Sequence, residues 1–294
     1  MPKLVSMPDE DSLQAPVAMP ASDAREQWWE RRERFRGDLR QRPPSGLSSD
    51  EIEMHFSAMP AHYWEHVSES ELLWGLQTVH GFLNLIASPH VPATAPFVDW
   101  RDLPEGRGSQ IMLCTWDRHG LLAKSAAALS AVRLNILRAD VFTRADDIVL
   151  DRFTVMDSDG HQAATAKRME EMTFLLEGAL SEPPRFASVW ACSRHKYLAP
   201  PGRFPPRIEF DNQSSPTSTI IGVEAADRLG LLYDILQAVA DYGLGISHAS
   251  IKTDNDRAHD QIHVTGSQGQ KLTEPHALEE LRRSLEAAIG SQTE

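Results

Sequence analysis

A unit of about a hundred residues occurs twice in this chain, and that repeat limits the fold more than any other feature. Asp117, Arg118, Gly120, Leu121 and Leu122 recur 110 residues later as Asp227, Arg228, Gly230, Leu231 and Leu232. At the same offset Ile111 matches Ile221, Ile136 matches Ile246 and Ala139 matches Ala249. With one residue dropped, Asp151-Arg152-Phe153-Thr154-Val155 matches Asp260-Gln261-Ile262-His263-Val264. Met169, Met172, Leu176 and Leu180 then match Leu278, Leu281, Leu285 and Ile289. A repeat this long is a small domain, not one turn of a solenoid.

Within the second copy, Leu231, Leu232, Ile235, Leu236 and Val239 form one apolar face at helical spacing, closed by Gly243 and Gly245. Alternating stretches before and after it read as strands. Each copy is therefore strand, tight acidic turn, helix, strand, strand, helix. This predicts an α+β fold: two ferredoxin-like βαββαβ domains in tandem, helices on one face of an antiparallel sheet. A further short strand precedes each copy, since Val98 and Trp100 match Ile208 and Phe210. The fourth strand of unit one can come from residues 206–211; unit two has no strand-like segment after Ile289. Whether the short strands serve their own unit or the neighbour stays open. Two separate cores, joined through 181–217, are expected.

Ahead of the repeat the chain reads as a disordered lead (1–24) and a helical region (25–95). Pro43-Pro44 interrupts that region, and Ser48/Glu51 and Ser68/Glu71 make two capping boxes. The first repeat with its Pro-rich linker takes 96–205, the second 206–294. Net charge is −13, with residues 96–205 neutral between two acidic segments, so nucleic acid is not an expected partner. No run approaches a membrane span, and the start carries no apolar signal segment, so a cytoplasmic location is expected. Cys114 and Cys192 are too few for a disulfide framework.

Metal and catalytic signals are weak. His62 and His66 are four apart but lack further ligands at a sensible spacing. Asp157-Ser158-Asp159 is not repeated in the second copy, and His259-Asp260 lies in a strand without partner histidines. No metal, no cofactor and no catalytic residue are expected.

The pattern D-R-x-G-L-L at a strand-to-helix turn resembles the ACT domain, a small-molecule regulatory module. Asp227 to Ile235, Ala249-Ser250-Ile251-Lys252-Thr253 and Gly269-Gln270-Lys271-Leu272 resemble more closely the tandem ACT tail of the bifunctional uridylyltransferase/uridylyl-removing enzyme, which modifies the nitrogen-signalling PII protein. His55-Phe56-Ser57-Ala58-Met59-Pro60-Ala61-His62-Tyr63-Trp64 resembles the stretch just upstream of that tail. The resemblance spans about residues 50–294 and leaves no room for that enzyme's catalytic domains before residue 50. It implies a non-catalytic regulatory protein sensing a small amino acid, with glutamine the candidate by resemblance. A second copy or a signalling protein is the macromolecular partner it implies. The alternatives are an interaction module without ligand and a stand-alone remnant or subunit of a PII uridylyltransferase.

The turns suit an amino acid physically. A helix start presents unpaired N–H groups and a positive dipole end to a carboxylate. Asp117 and Asp227 can accept an ammonium or simply cap their helices. The expected ligand-binding residues are Asp117, Arg118, Gly120, Leu121 and Asn135 in unit one, and Asp227, Arg228, Gly230 and Leu231 in unit two. By resemblance, Asn135 at the start of the second strand marks unit one as the main site; unit two has Gly245 there. His119 and Leu229 replace the family's usual proline.

Overall fold

The computed structural model describes residues 21–104, 108–157, 165–181, 205–254 and 257–290. Four helices come first: α1 (Ala21–Gln41), α2 (Ser49–Ala58), α3 (Tyr63–His66) and α4 (Glu69–Ile86). The first repeat contributes β1 (Phe97–Asp102), β2 (Ser109–Trp116), α5 (Leu121–Ala131), β3 (Leu134–Asp140), β4 (Ile148–Asp157) and α6 (Ala166–Ser181). The second contributes β5 (Arg207–Asp211), β6 (Thr219–Ala226), α7 (Leu231–Asp241), β7 (Gly245–Asp254), β8 (Arg257–Thr265) and α8 (Pro275–Gly290).

The eight strands form one antiparallel sheet in the order β1-β2-β4-β3-β7-β8-β6-β5. Each half is a ferredoxin-like domain with its fourth strand relocated. That place beside the main strand is filled by the short strand that precedes it in sequence: β1 beside β2, and β5 beside β6. The chain order is thus ββαββα, a circular rearrangement of the expected one. Residues 207–211 complete unit two and not unit one, and unit two needs no strand after Ile289. Register decides this: Ile208 opposes Val223 and Phe210 opposes Ile221, so this strand's inward residues extend its own unit's core.

The halves meet edge to edge through β3 and β7, where Asp140 pairs with Ser250. These two residues are equivalent under the 110-residue offset, so a local two-fold axis passes between them. Both strands carry a bulge at the equivalent step, Ile136/Arg138 and Ile246/His248. Helices α5 and α7 pack against each other across the axis. The two cores expected to be separate are one: a continuous buried cluster runs from Ile111, Leu129 and Phe153 to Ile221, Ile235, Ile262 and Leu285.

Helices α1 to α4 cover the other face of unit one. Ile52, Phe56, Tyr63, Leu76 and Phe82 pack there with Met112, Cys114, Ile148 and Leu150 of the sheet and with Phe142 just after β3. Both capping boxes are formed, Ser48 with Glu51 and Ser68 with Glu71. Helix α1 is described from Ala21 and so extends ahead of the expected boundary at Arg25. Most of the linker 181–205, including Cys192, and residues 158–160 of the Asp157–Gly160 turn lie outside the described residues.

Candidate functional site

Both main strands hand over to their helices through the same turn. The N–H of Leu121 returns to the Arg118 carbonyl and that of Leu231 to the Arg228 carbonyl, both at 3.1 Å. Gly120 and Gly230 hold left-handed backbone, with φ of 70° and 82°, where a side chain would be strained. Neither helix has a side-chain cap, so the aspartates are not N-caps. The N–H groups of Leu122 and Ala123 find no acceptor among the described residues.

The local two-fold turns each of these loops toward the start of the other unit's second strand. The unit-one turn, with Asp117, Arg118, Gly120 and Leu121, opens on a cavity of about 640 Å³. Gly245, Ile246 and Ser247 of β7 and Leu236 of α7 form its far wall, and Pro60 and His62 reach it from the helical layer. The unit-two turn, with Asp227, Arg228, Gly230 and Leu231, encloses only about 10 Å³ against Ser130, Asn135 and Ile136. Asn135 therefore does not join Asp117. It crosses to the other turn, where its Nδ2 donates to Asp227 Oδ2 at 2.8 Å. The separation follows from topology: the second strand starts at the end of its domain that the axis places against the partner turn.

Two buried carboxylates complete the arrangement. Asp151 on β4 lines the open cavity, is 1% exposed, and neither of its oxygens has a well-formed hydrogen bond among the described residues. Burial pushes its carboxyl well above the usual range and Asp117 adds to this, offset only in part by the Phe142 backbone. Burial, with Asp147 contributing, also raises Asp117. Asp260, the counterpart on β8, lines the closed space and is pushed up to about 8 by burial, with Asp227 next. An acid repeated at the same place in the two copies was the signal available in the sequence; it reads there as a strand residue. His259 points to the opposite face, 3.8 Å from Glu224, so His259-Asp260 is not a working pair. Among the described residues no cluster of metal-ligating side chains occurs.

The arginines differ for one reason. Arg228 is buried against Asp234 at 2.7 Å and donates to the Ala288 carbonyl at 3.3 Å. The residue equivalent to Asp234 is Lys124, so Arg118 has no such partner. Among the described residues it donates to the Trp116 carbonyl and Thr115 Oγ1, both at 3.3 Å, and burial lowers its pKa. The open cavity thus holds the Arg118 guanidinium and a helix start near three carboxylates, Asp117, Asp147 and Asp151, with His62 and His119 also on its wall.

Fold and turns together define a tandem pair of ferredoxin-like domains. Residues 207–292 match the family described as ACR9-like, ACT-like domain. The chain resembles the C-terminal ACT region of the bifunctional uridylyltransferase/uridylyl-removing enzyme. It is 32% identical to that of Rhodospirillum rubrum over 197 residues, 63% of this chain and 20% of the relative. Over 184 residues it is 32% identical to the Azospirillum brasilense protein, 62% and 20% of the two chains. The Ectopseudomonas mendocina protein is 25% identical over 247 residues, 82% of this chain and 26% of the relative. The chain spans about a fifth to a quarter of the length of these relatives. Aspartate kinase from Synechocystis, a crystal structure, is 12% identical and covers 76% of this chain and 33% of its own at a TM-score of 0.34.

Proposed function

We propose that this chain is a non-catalytic regulatory protein of the cytoplasm that senses a small amino acid in the cavity between its two ACT-like domains. The observation that carries the reading is the complementarity of the open cavity to a zwitterion. Arg118 and the unpaired N–H groups at the start of α5 suit a carboxylate; Asp117 and Asp151 suit an ammonium. An ammonium there also offsets the burial, and the smaller like-charge repulsion, that hold both carboxyls high. Glutamine is the first candidate, because the relatives are named for modifying and restoring a uridylylated partner, and nitrogen status is the signal such a protein would report.

A thermal-shift series over the twenty protein amino acids tests this. At a hundred times its dissociation constant a true ligand stabilises by ~2.7 kcal/mol. Asp151→Asn and Arg118→Gln should each weaken binding by about tenfold to a hundredfold, the worth of one charged hydrogen bond. If no amino acid shifts the melting temperature, or if neither variant alters the shift, the reading is wrong. The purified chain should neither add UMP to a PII-type protein nor remove it; measurable turnover would make it a catalytic subunit instead.

A further inference from the structure

The two turns are built alike, yet one faces a cavity and the other does not. The difference lies in what the opposite domain presents. Facing Asp117 is Gly245, without a side chain; facing Asp227 is the equivalent residue, Asn135, whose carboxamide N–H₂ sits 2.8 Å from the carboxylate. On the reading above, an amino acid held by this turn would set its ammonium beside Asp227, the place this N–H₂ group takes. Behind it, Asp260 is buried at 2% exposure, lines the same space, and has one oxygen without a partner among the described residues. The Lys252 backbone holds the carboxylate from one side, as Phe142 holds its counterpart Asp151, which lines the open cavity; the remaining oxygen of Asp260 is left for a group in the closed space. The closed space therefore keeps the parts of a binding site while an internal group stands in for the ligand.

We propose that the chain binds one amino acid and not two, and that Asn135 is an intramolecular plug that keeps the second site shut. The same position sets the state of both sites: glycine at 245 leaves the first open, asparagine at 135 closes the second. The backbone allows the exchange. Gly245 does not hold left-handed backbone, and a Cβ there would meet Thr265 Oγ1 at an ordinary 3.6 Å. The inference rests on the amino-acid reading above and adds its stoichiometry and the residue that fixes it.

The test is titration calorimetry of the intact chain with each of the twenty amino acids, on wild type, Asn135→Gly, Gly245→Asn and the double exchange. Asn135→Ala serves as a second opening variant if the glycine destabilises β3. Wild type should bind one equivalent, lost in Gly245→Asn. Asn135→Gly should bind two, the second abolished by adding Asp227→Asn. The double exchange should bind one again, now dependent on Asp227 and indifferent to Asp117. Two equivalents on wild type, or one on both opening variants with melting temperatures unchanged, would overturn the plug while leaving amino-acid sensing intact. An amino acid that binds Asn135→Gly but not wild type would support the plug and overturn the open-site reading. Silence from every variant overturns both.

Discussion

Strands β2 and β6 hold the same place in two copies of one domain, and they are buried differently. Along β2 (SQIMLCTW) nearly every residue is buried; along β6 (TIIGVEAA) buried and partly exposed residues alternate. The cause is the helical layer, which among the described residues covers the outer face of unit one and reaches that of unit two only at its edge, where His62 meets His248. A sheet covered on both sides needs continuous apolar runs, whereas one covered on one side needs alternation. Met112 and Cys114 in β2 accordingly become Gly222 and Glu224 in β6. Duplicated units keep their inner face and diverge on the outer one, according to what covers it.

Exchanging residues between the outer faces should break this comparison most severely. Cys114→Glu places a carboxylate at a fully buried site under the helical layer, where the neighbouring cation, Arg144, is already paired with Asp146. We expect a loss of at least ~4 kcal/mol in urea unfolding. The reverse exchange, Glu224→Cys, alters a side chain 42% exposed and should stay within ~0.5 kcal/mol. Similar small effects from both would mean the helical layer is not seated on unit one in solution.

A buried ion cluster sharpens the same contrast. Arg152 reaches Glu71 on α4 at 2.6 Å and Asp140 on β3 at 2.7 Å, bridging the helical layer to unit one. Burial alone would raise Asp140, but Arg138 and Arg152 hold it below the usual carboxylate range. The second copy has Gln261 at this place, on the open face. Arg152→Gln leaves two acids without their shared cation and should cost ~3–5 kcal/mol; Gln261→Arg should be close to neutral. Chemical denaturation of both single variants separates these outcomes.

The carboxylates of the two sites predict a pH dependence. Asp260 rises from 3.8 to about 8 on folding, because burial and then Asp227 disfavour its charge. An acid raised by folding contributes its full stability below the unfolded value and loses it as pH climbs through the folded value. Stability should therefore fall between pH 3.8 and about 8, by no more than ~1.4 kcal/mol per unit for this group. Asp260→Asn should flatten that slope in urea unfolding at a series of pH values. Asp151 shifts in the same direction. A bound amino acid should reduce the Asp151 share of the slope and leave that of Asp260 untouched, which distinguishes the open site from the closed one.

The repeat made the D-R-x-G-L-L turns, the helices behind them and both capping boxes legible from spacing alone, since each rests on contacts within a few residues. The fourth strand was not legible. Residues 97–102 and 207–211 show only that they are extended, and their partner depends on which edge the fold leaves open. Asn135 was misplaced for a related reason. Its companion in space, Asp227, lies in the other domain, and only the two-fold pairing of Asp140 with Ser250 reveals it. Asp151 and Asp260 were visible as a repeated acid, but their significance comes from burial, which pattern alone does not measure. The difference between Arg118 and Arg228 was in the sequence as Lys124 against Asp234, and needed the turn geometry to become meaningful.

The smallest effect concerns the caps of the layer that only unit one possesses. Ser48 Oγ accepts the Glu51 N–H at 3.2 Å, and Ser68 Oγ accepts that of Glu71 at 3.3 Å. Removing either hydroxyl leaves an unpaired N–H at a helix start and should cost ~1 kcal/mol. The two are not equivalent beyond that. Glu51 Oε1 meets His80 within the helical layer at 2.6 Å, whereas Glu71 Oε1 meets the buried Arg152 of unit one. Loosening α4 at Ser68 therefore frees a residue that unit one depends on, and loosening α2 at Ser48 does not. In hydrogen exchange, Ser68→Ala should speed the amides of β2 and β4 as well as those of α4. Ser48→Ala should act mainly on α2, and neither should alter β6 or β8. If the β6 and β8 amides quicken equally with Ser68→Ala, the continuous core couples the two domains so tightly that the covered and open faces no longer differ in stability.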